Sequence, residues 1–166
     1  MNALDAFMST WNQARATFGD NEPIDGAEFD KSAHLRDLQN TVQSAGPGEH
    51  WTGTAADNYA DVNARHSAAL AQIADFDERL GAEITRSAEV VRAGRRDLDA
   101  LKQWVTDASA AAADATTAAA ADRALWSTIS KASGEVADII ERSHHELAGV
   151  ARRISALGEE LDSLRA

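Results

Sequence analysis

Apolar residues return at three- and four-residue steps along most of the chain, and these steps mark out four helical segments. Leu4, Phe7, Met8, Trp11, Ala14 and Phe18 share one face, which predicts a first helix over 1–19 closed by Gly19. Residues 20–26 are turn chemistry around Pro23. Asp25 followed by Glu28 has the spacing of a capping box, so a second helix is expected over 27–45, with Phe29, Leu35, Leu38 and Val42 on its apolar side. Gly46-Pro47-Gly48 stops it, because proline has no N–H to donate and glycine accepts positive φ.

Thr54 with Asp57 repeats the capping pattern and opens a long third helix, expected over 54–115. Its apolar face runs through Tyr59, Val62, His66, Leu70, Ile73, Phe76, Leu80, Ile84, Ala88, Val91, Leu98, Leu101 and Val105, with an interruption around Arg95. Residues 108–124 hold eleven alanines and neither glycine nor proline, so nothing local marks where this helix ends. An unbroken helix from Thr54 to Arg165 would be about 165 Å long at ~1.5 Å per residue and could not bury its own stripe. A reversal is therefore expected within 113–123, with Thr116, Thr117 or Asp122 as the next cap.

The fourth helix, expected over 120–165, is the most regular. Ile129, Ala132, Val136, Ile140, Ser143, Leu147, Val150, Ile154, Leu157, Leu161 and Leu164 alternate steps of three and four in a heptad pattern. Gly134, Gly149 and Gly158 each cost about 1 kcal/mol in an exposed helix interior, which close helix contact would offset. No strand-like alternation stands out. The reading is an all-α fold: an elongated antiparallel helical bundle, one domain over 1–166, with a hairpin turn at 46–53 between its second and third helices.

Composition narrows the function. The 166 residues carry a net charge of −11, which opposes nucleic acid and anionic membrane surfaces, since both need Lys and Arg to neutralise phosphate. No apolar run reaches membrane-spanning length, so no stable membrane insertion is expected. The N-terminus lacks a basic region and carries Asp5 where a signal peptide would need apolar continuity. With no cysteine there is no disulfide or thiolate site.

Catalytic candidates are few. Glu141 with His144 is a single Glu-x-x-His where a di-iron bundle needs two, so no metal and no cofactor are expected. The serines Ser127, Ser130, Ser133 and Ser143 have no Gly-x-Ser-x-Gly elbow, and the Gly46–Gly53 stretch lacks the Lys-Ser/Thr ending of a phosphate loop. His66 reads as a histidine at a core edge. An enzyme is not expected. Of the four tryptophans, Trp11, Trp104 and Trp126 fall in helices and are expected in the core, whereas Trp51 sits in a turn and suits a partner surface.

The turn carries the most specific pattern. Gly48-Glu-His-Trp51-Thr-Gly53-Thr-Ala-Ala-Asp57-Asn-Tyr59-Ala-Asp-Val-Asn63 places Trp-x-Gly between two helices, followed at once by Ala-Ala-Asp-x-Tyr. This resembles the N-terminal region of EspA/EspE-type proteins of mycobacterial ESX (type VII) secretion, through Ala74-Asp-Phe-Asp-Glu78 and Arg92-Ala-Gly-Arg-Arg-Asp-Leu98, over roughly residues 30–105. The resemblance implies a secreted or surface-bound, virulence-associated protein that is cytoplasmic before export and leaves without a cleavable signal peptide. In the wider family such hairpins pair with a small helical protein, and a Tyr-x-x-x-Asp/Glu sequence is the export signal. Here the only tyrosine, Tyr59, is followed by Asn63 in the acidic position, so the signal would come from a partner.

The expectation is a non-enzymatic secretion substrate or co-secreted factor whose recognition residues are Trp51, Gly53, Tyr59 and Asn63. Its partner would be a small helical co-secreted protein carrying the Tyr-x-x-x-Asp/Glu signal, or the ESX machinery or a chaperone. Two other readings stand beside it: a self-associating coiled-coil module, hence a homo-oligomer, and the N-terminal targeting domain of a longer toxin or effector.

Overall fold

A computed structural model describes residues 3–113 and 117–163. The described residues contain helix and no strand: α1 (Ala3–Thr17), a 3-10 turn (Gly26–Glu28), α2 (Ser32–Ser44), α3 (Thr54–Ala113) and α4 (Ala118–Ser163). The fold is an all-α helical bundle. Contacts group the chain into two compact units, the first Met1–Pro23 with Ser87–Ala151 and the second Ile24–Arg86 with Arg152–Ala166. The expected break falls between Ala113 and Ala118, and the Thr117 carbonyl accepts from the N–H groups of Ala120 and Ala121 at the start of α4. Of the other candidate caps, Thr116 lies outside the described residues and Asp122 lies inside α4.

In the first unit α1 lays Phe7, Trp11, Ala14 and Phe18 against Leu98 and Val105 of α3 and Ile129, Ala132, Val136 and Ile139 of α4. Phe7, Leu98 and Val105 are fully enclosed, and burying each such side chain contributes about 1.5–3 kcal/mol. Trp11 also satisfies its one polar atom, its indole N–H donating to the Leu98 carbonyl at 2.6 Å, while Lys102 sits 4.3 Å above the ring. Phe18 reaches α3 at Gly94, where a Cβ would come within 2.3 Å of the ring.

The interruption in the α3 stripe at Arg95 has a physical role. Its guanidinium donates to the Phe18 carbonyl at 2.6 Å and to the Asn21 carbonyl at 2.8 Å, just past the end of α1. A cation there complements the negative end of the helix and binds backbone acceptors the helix leaves open. Arg92 holds the next stretch of chain by donating to Glu22 and to the Pro23 carbonyl.

The second unit corrects the expected start of the second helix. Asp25 does accept from a backbone N–H, that of Ala27 at 3.0 Å, but it caps only the 3-10 turn. Tertiary contacts hold that turn in place: the Gly26 N–H donates to the Thr85 hydroxyl at 3.1 Å, and that hydroxyl donates to Asp25 at 2.9 Å. The helix begins at Ser32 after Asp30 accepts from the Ser32 N–H at 2.8 Å and Asp77 accepts from the Lys31 N–H. Phe29, expected on the apolar face of this helix, lies before it and is exposed.

A second correction concerns the buried face of α3. Ser67, Ala74 and Gly81, seven residues apart, are buried, whereas Leu70, Phe76, Leu80 and Ile84 are half-buried and Ile73 and His66 are exposed. At Gly81 a neighbouring backbone lies against the seam: the Gly81 carbonyl oxygen would be 1.7 Å from a Cβ on Gly26. Across from this seam Arg79 pairs with both oxygens of Glu160 at 2.9 Å and Arg153 pairs with Glu83 at 2.9 Å, fastening α3 to α4.

Candidate partner-recognition site

The hairpin turn is built from the residues that local chemistry requires. Thr41 and Val42 accept from the Ala45 N–H as α2 ends, and the Trp51 N–H donates to the Gly48 carbonyl at 3.0 Å to close the turn. Gly53, not Thr54, holds the cap position of α3: its φ is 103°, a conformation that favours glycine, and its carbonyl accepts the first helical bond from Asp57. Thr54 is already inside the helix.

The four predicted site residues gather here in two groups. Trp51 and Tyr59 lie with ring centroids 5.2 Å apart at an interplanar angle of 44°, and both are exposed, Trp51 by 46%. The Tyr59 hydroxyl donates to the Ala45 carbonyl at 3.0 Å. Asn63, one turn farther along α3, donates from Nδ2 to the Val42 carbonyl at 2.6 Å. The two side chains therefore bond to backbone carbonyls at the end of α2 and tie α3 to it, Asn63 sharing the Val42 carbonyl with the Ala45 N–H. Asn63 thus commits its amide to the fold, while the Trp51 ring is half in solvent.

Tryptophan placement elsewhere departs in part from expectation. Trp11 is in the core, but Trp104 is exposed and Trp126 is 63% exposed. Trp104 stands in a groove of about 390 Å³ over Leu101 and Ile139, with Lys131 5.6 Å above its ring. Residue type alone suggested the core; in these two cases the helix, α3 for Trp104 and α4 for Trp126, leaves the indole outside the cluster of Phe7, Trp11, Leu98, Val105 and Ile129. Sequence reading also missed Val62, Leu38 and Phe29 as exposed residues, since an apolar residue at helical spacing reads as core.

Chemistry is sparse. Among the described residues no group of His, Asp and Glu is placed to hold a metal ion, and Glu141, His144 and His145 are all exposed. The carboxylates with shifted acidity are structural: hydrogen bonds from Ser32 hold Asp30, Arg153 holds Glu83 and Arg79 holds Glu160 below the ordinary carboxylate range. No helix among the described residues is long and apolar enough to cross a membrane.

These features define an all-α bundle protein whose distinctive surface is an aromatic pair on a helical hairpin. The EspA/EspE family model matches residues 18–100, half of the chain, and the chain belongs to that family. It is accordingly a type VII secretion-associated protein, of a family that is secreted and not enzymatic. All four candidate residues, Trp51, Gly53, Tyr59 and Asn63, fall inside the matched segment. No curated protein and no solved structure matches the chain.

Proposed function

We propose that the protein is a secreted substrate or co-secreted factor of a type VII system and works by helix–helix contact with a partner chain. The observation that carries this reading is the Trp51–Tyr59 pair, held at the surface of the hairpin inside the family-matched segment. An ordered, exposed indole is the residue type that most often anchors protein interfaces. Tyr59 and Asn63 have the spacing of the Tyr-x-x-x-Asp/Glu export signal, but Asn63 carries no charge and its amide is engaged with Val42. A partner supplying the acidic half, either a small helical co-secreted protein or a component of the ESX machinery or a chaperone, would complete the signal beside Trp51. On this reading the chain is cytoplasmic before export and needs no cleavable signal peptide.

Self-association through α4 finds less support, because Ile129, Ala132, Val136, Val150 and Leu157 of the heptad stripe are buried within their own units. The direct test is affinity purification of the tagged protein from secretion-competent cells, together with assay of the culture filtrate. Recovery of a small helical protein or an ESX component, with export that falls for Trp51→Ala, is the expected result. Retention in the cytosol with no helical partner recovered overturns the proposal.

A further inference from the structure

We infer that α3 between Tyr59 and Ile73 is a seat for a basic amphipathic helix of a partner, laid along the line that α4 takes against the same helix farther on. The inference rests on the partner-dependent reading above and supplies the surface and the chemistry of that partner. Tyr59, His66, Ile73 and Leu80 stand seven apart, as do Val62, Ala69, Phe76 and Glu83, so each set follows one line along the helix. Toward Glu83 these lines are covered within the second unit: Arg153 pairs with Glu83, Leu161 shares a cleft with Phe76, and Phe76 and Leu80 are half-buried. Toward Tyr59 the same lines are bare among the described residues, with Tyr59, Val62 and Ile73 exposed by 40%, 46% and 43%.

The bare stretch thus continues an interface the protein already builds, running on toward Tyr59 from where Glu160 and Leu161 share a cleft with Ala71, Gln72, Asp75 and Phe76. From Tyr59 to Ile73 it runs about 21 Å at ~1.5 Å per residue, which accommodates an incoming helix of about four turns. Trp51, packed on Tyr59, closes one end. The charge of the region selects the occupant. Residues 37–77 carry six carboxylates, Asp37, Glu49, Asp57, Asp61, Asp75 and Asp77, against one arginine, Arg65. That balance repels a second copy of the same surface and favours a helix with Lys or Arg flanking its apolar stripe.

The test is calorimetric titration of the full chain with two synthetic heptad peptides of about four turns, identical in their leucine positions, one flanked by lysine and one by glutamate. The lysine peptide is expected to bind and the glutamate peptide to bind at least about tenfold more weakly. Val62→Glu and Ile73→Glu each remove an exposed apolar group and add a negative charge. If apolar contact on α3 holds the helix they weaken the lysine peptide by about tenfold or more, whereas purely electrostatic attraction would strengthen it. Circular dichroism confirms that both variants remain helical, and Asp107→Asn, on α3 outside this stretch, serves as the control that leaves binding unchanged. Equal binding of the two peptides, or binding insensitive to both Glu variants, overturns the seat. Export of Val62→Glu and Ile73→Glu separates the two levels: normal export of these variants with export lost in Trp51→Ala rejects the seat and leaves the functional reading standing, whereas export of all three at the wild-type level rejects that reading.

Discussion

Gly26 and Gly81 meet backbone to backbone: a Cβ placed on Gly26 would lie 1.7 Å from the Gly81 carbonyl oxygen and 2.6 Å from its carbonyl carbon. Neither atom can swing aside as a side-chain end could. Gly26→Ala is therefore expected to push the 3-10 turn off α3, break the Thr85 bond to the Gly26 N–H and destabilise the protein by about 1–3 kcal/mol. Urea denaturation followed by circular dichroism checks it, with Gly48→Ala, which meets nothing within 4 Å, as the near-neutral reference.

Trp11 and Trp51 should respond oppositely. Trp11→Ala opens a cavity in an enclosed core and orphans the Leu98 contact, so a loss of about 3–5 kcal/mol is expected. Trp51→Ala removes a half-exposed ring resting on Tyr59 and is expected to cost less than about 3 kcal/mol, below the range for a buried tryptophan, while reducing partner binding or export. A stability loss for Trp51→Ala equal to that of Trp11→Ala, with binding intact, would reassign it to the core.

Arg95→Met keeps much of the side chain's aliphatic length and removes the donors to Phe18 and Asn21. The loss of charge-assisted bonds to the end of α1 should destabilise by about 1.5–3 kcal/mol. Arg96→Met, at the exposed neighbouring position, should change stability little. Equal urea midpoints for the two variants would remove Arg95 from the account.

Acidification should loosen the second unit. Arg153 holds the Glu83 carboxyl, and Arg79 the Glu160 carboxyl, below their ordinary value of 4.5 in the folded chain. The unfolded chain therefore takes up protons first as pH falls. The stabilisation is fully present above that ordinary value and is lost as pH drops through the lower folded values. Urea midpoints measured from pH 7 down to pH 3 should fall less steeply for the double variant Glu83→Gln, Glu160→Gln than for the wild type. Superimposable profiles would show that other carboxylates govern the acid response.

Much of this was legible in the sequence, and the misses have physical causes. The α4 stripe is visible because large aliphatic residues mark the buried positions, and Ile129, Val136, Val150 and Leu157 are buried as their spacing implies. The α3 seam is hard to see because Ser67, Ala74 and Gly81 carry little or no hydrophobic signal, and only the approach of Gly26 explains the glycine at 81. Asp25–Glu28 has a valid capping spacing, but Thr85 and Gly81, far along the chain, decide that it closes one short turn. The gathering of Trp51 with Tyr59 follows from the short turn, whereas the bond from Asn63 to Val42 depends on the hairpin crossing, which no local pattern encodes.

The placement of the indoles has an optical consequence. Trp11, Trp104 and Trp126 all belong to the first unit, and Trp51 is the sole tryptophan of the second. Replacing those three with phenylalanine would leave one fluorophore, half in solvent and in contact with Tyr59, on the hairpin turn. Its emission maximum and quenching would then report on that turn alone, giving the hairpin a spectroscopic signal separate from the first unit without any attached dye.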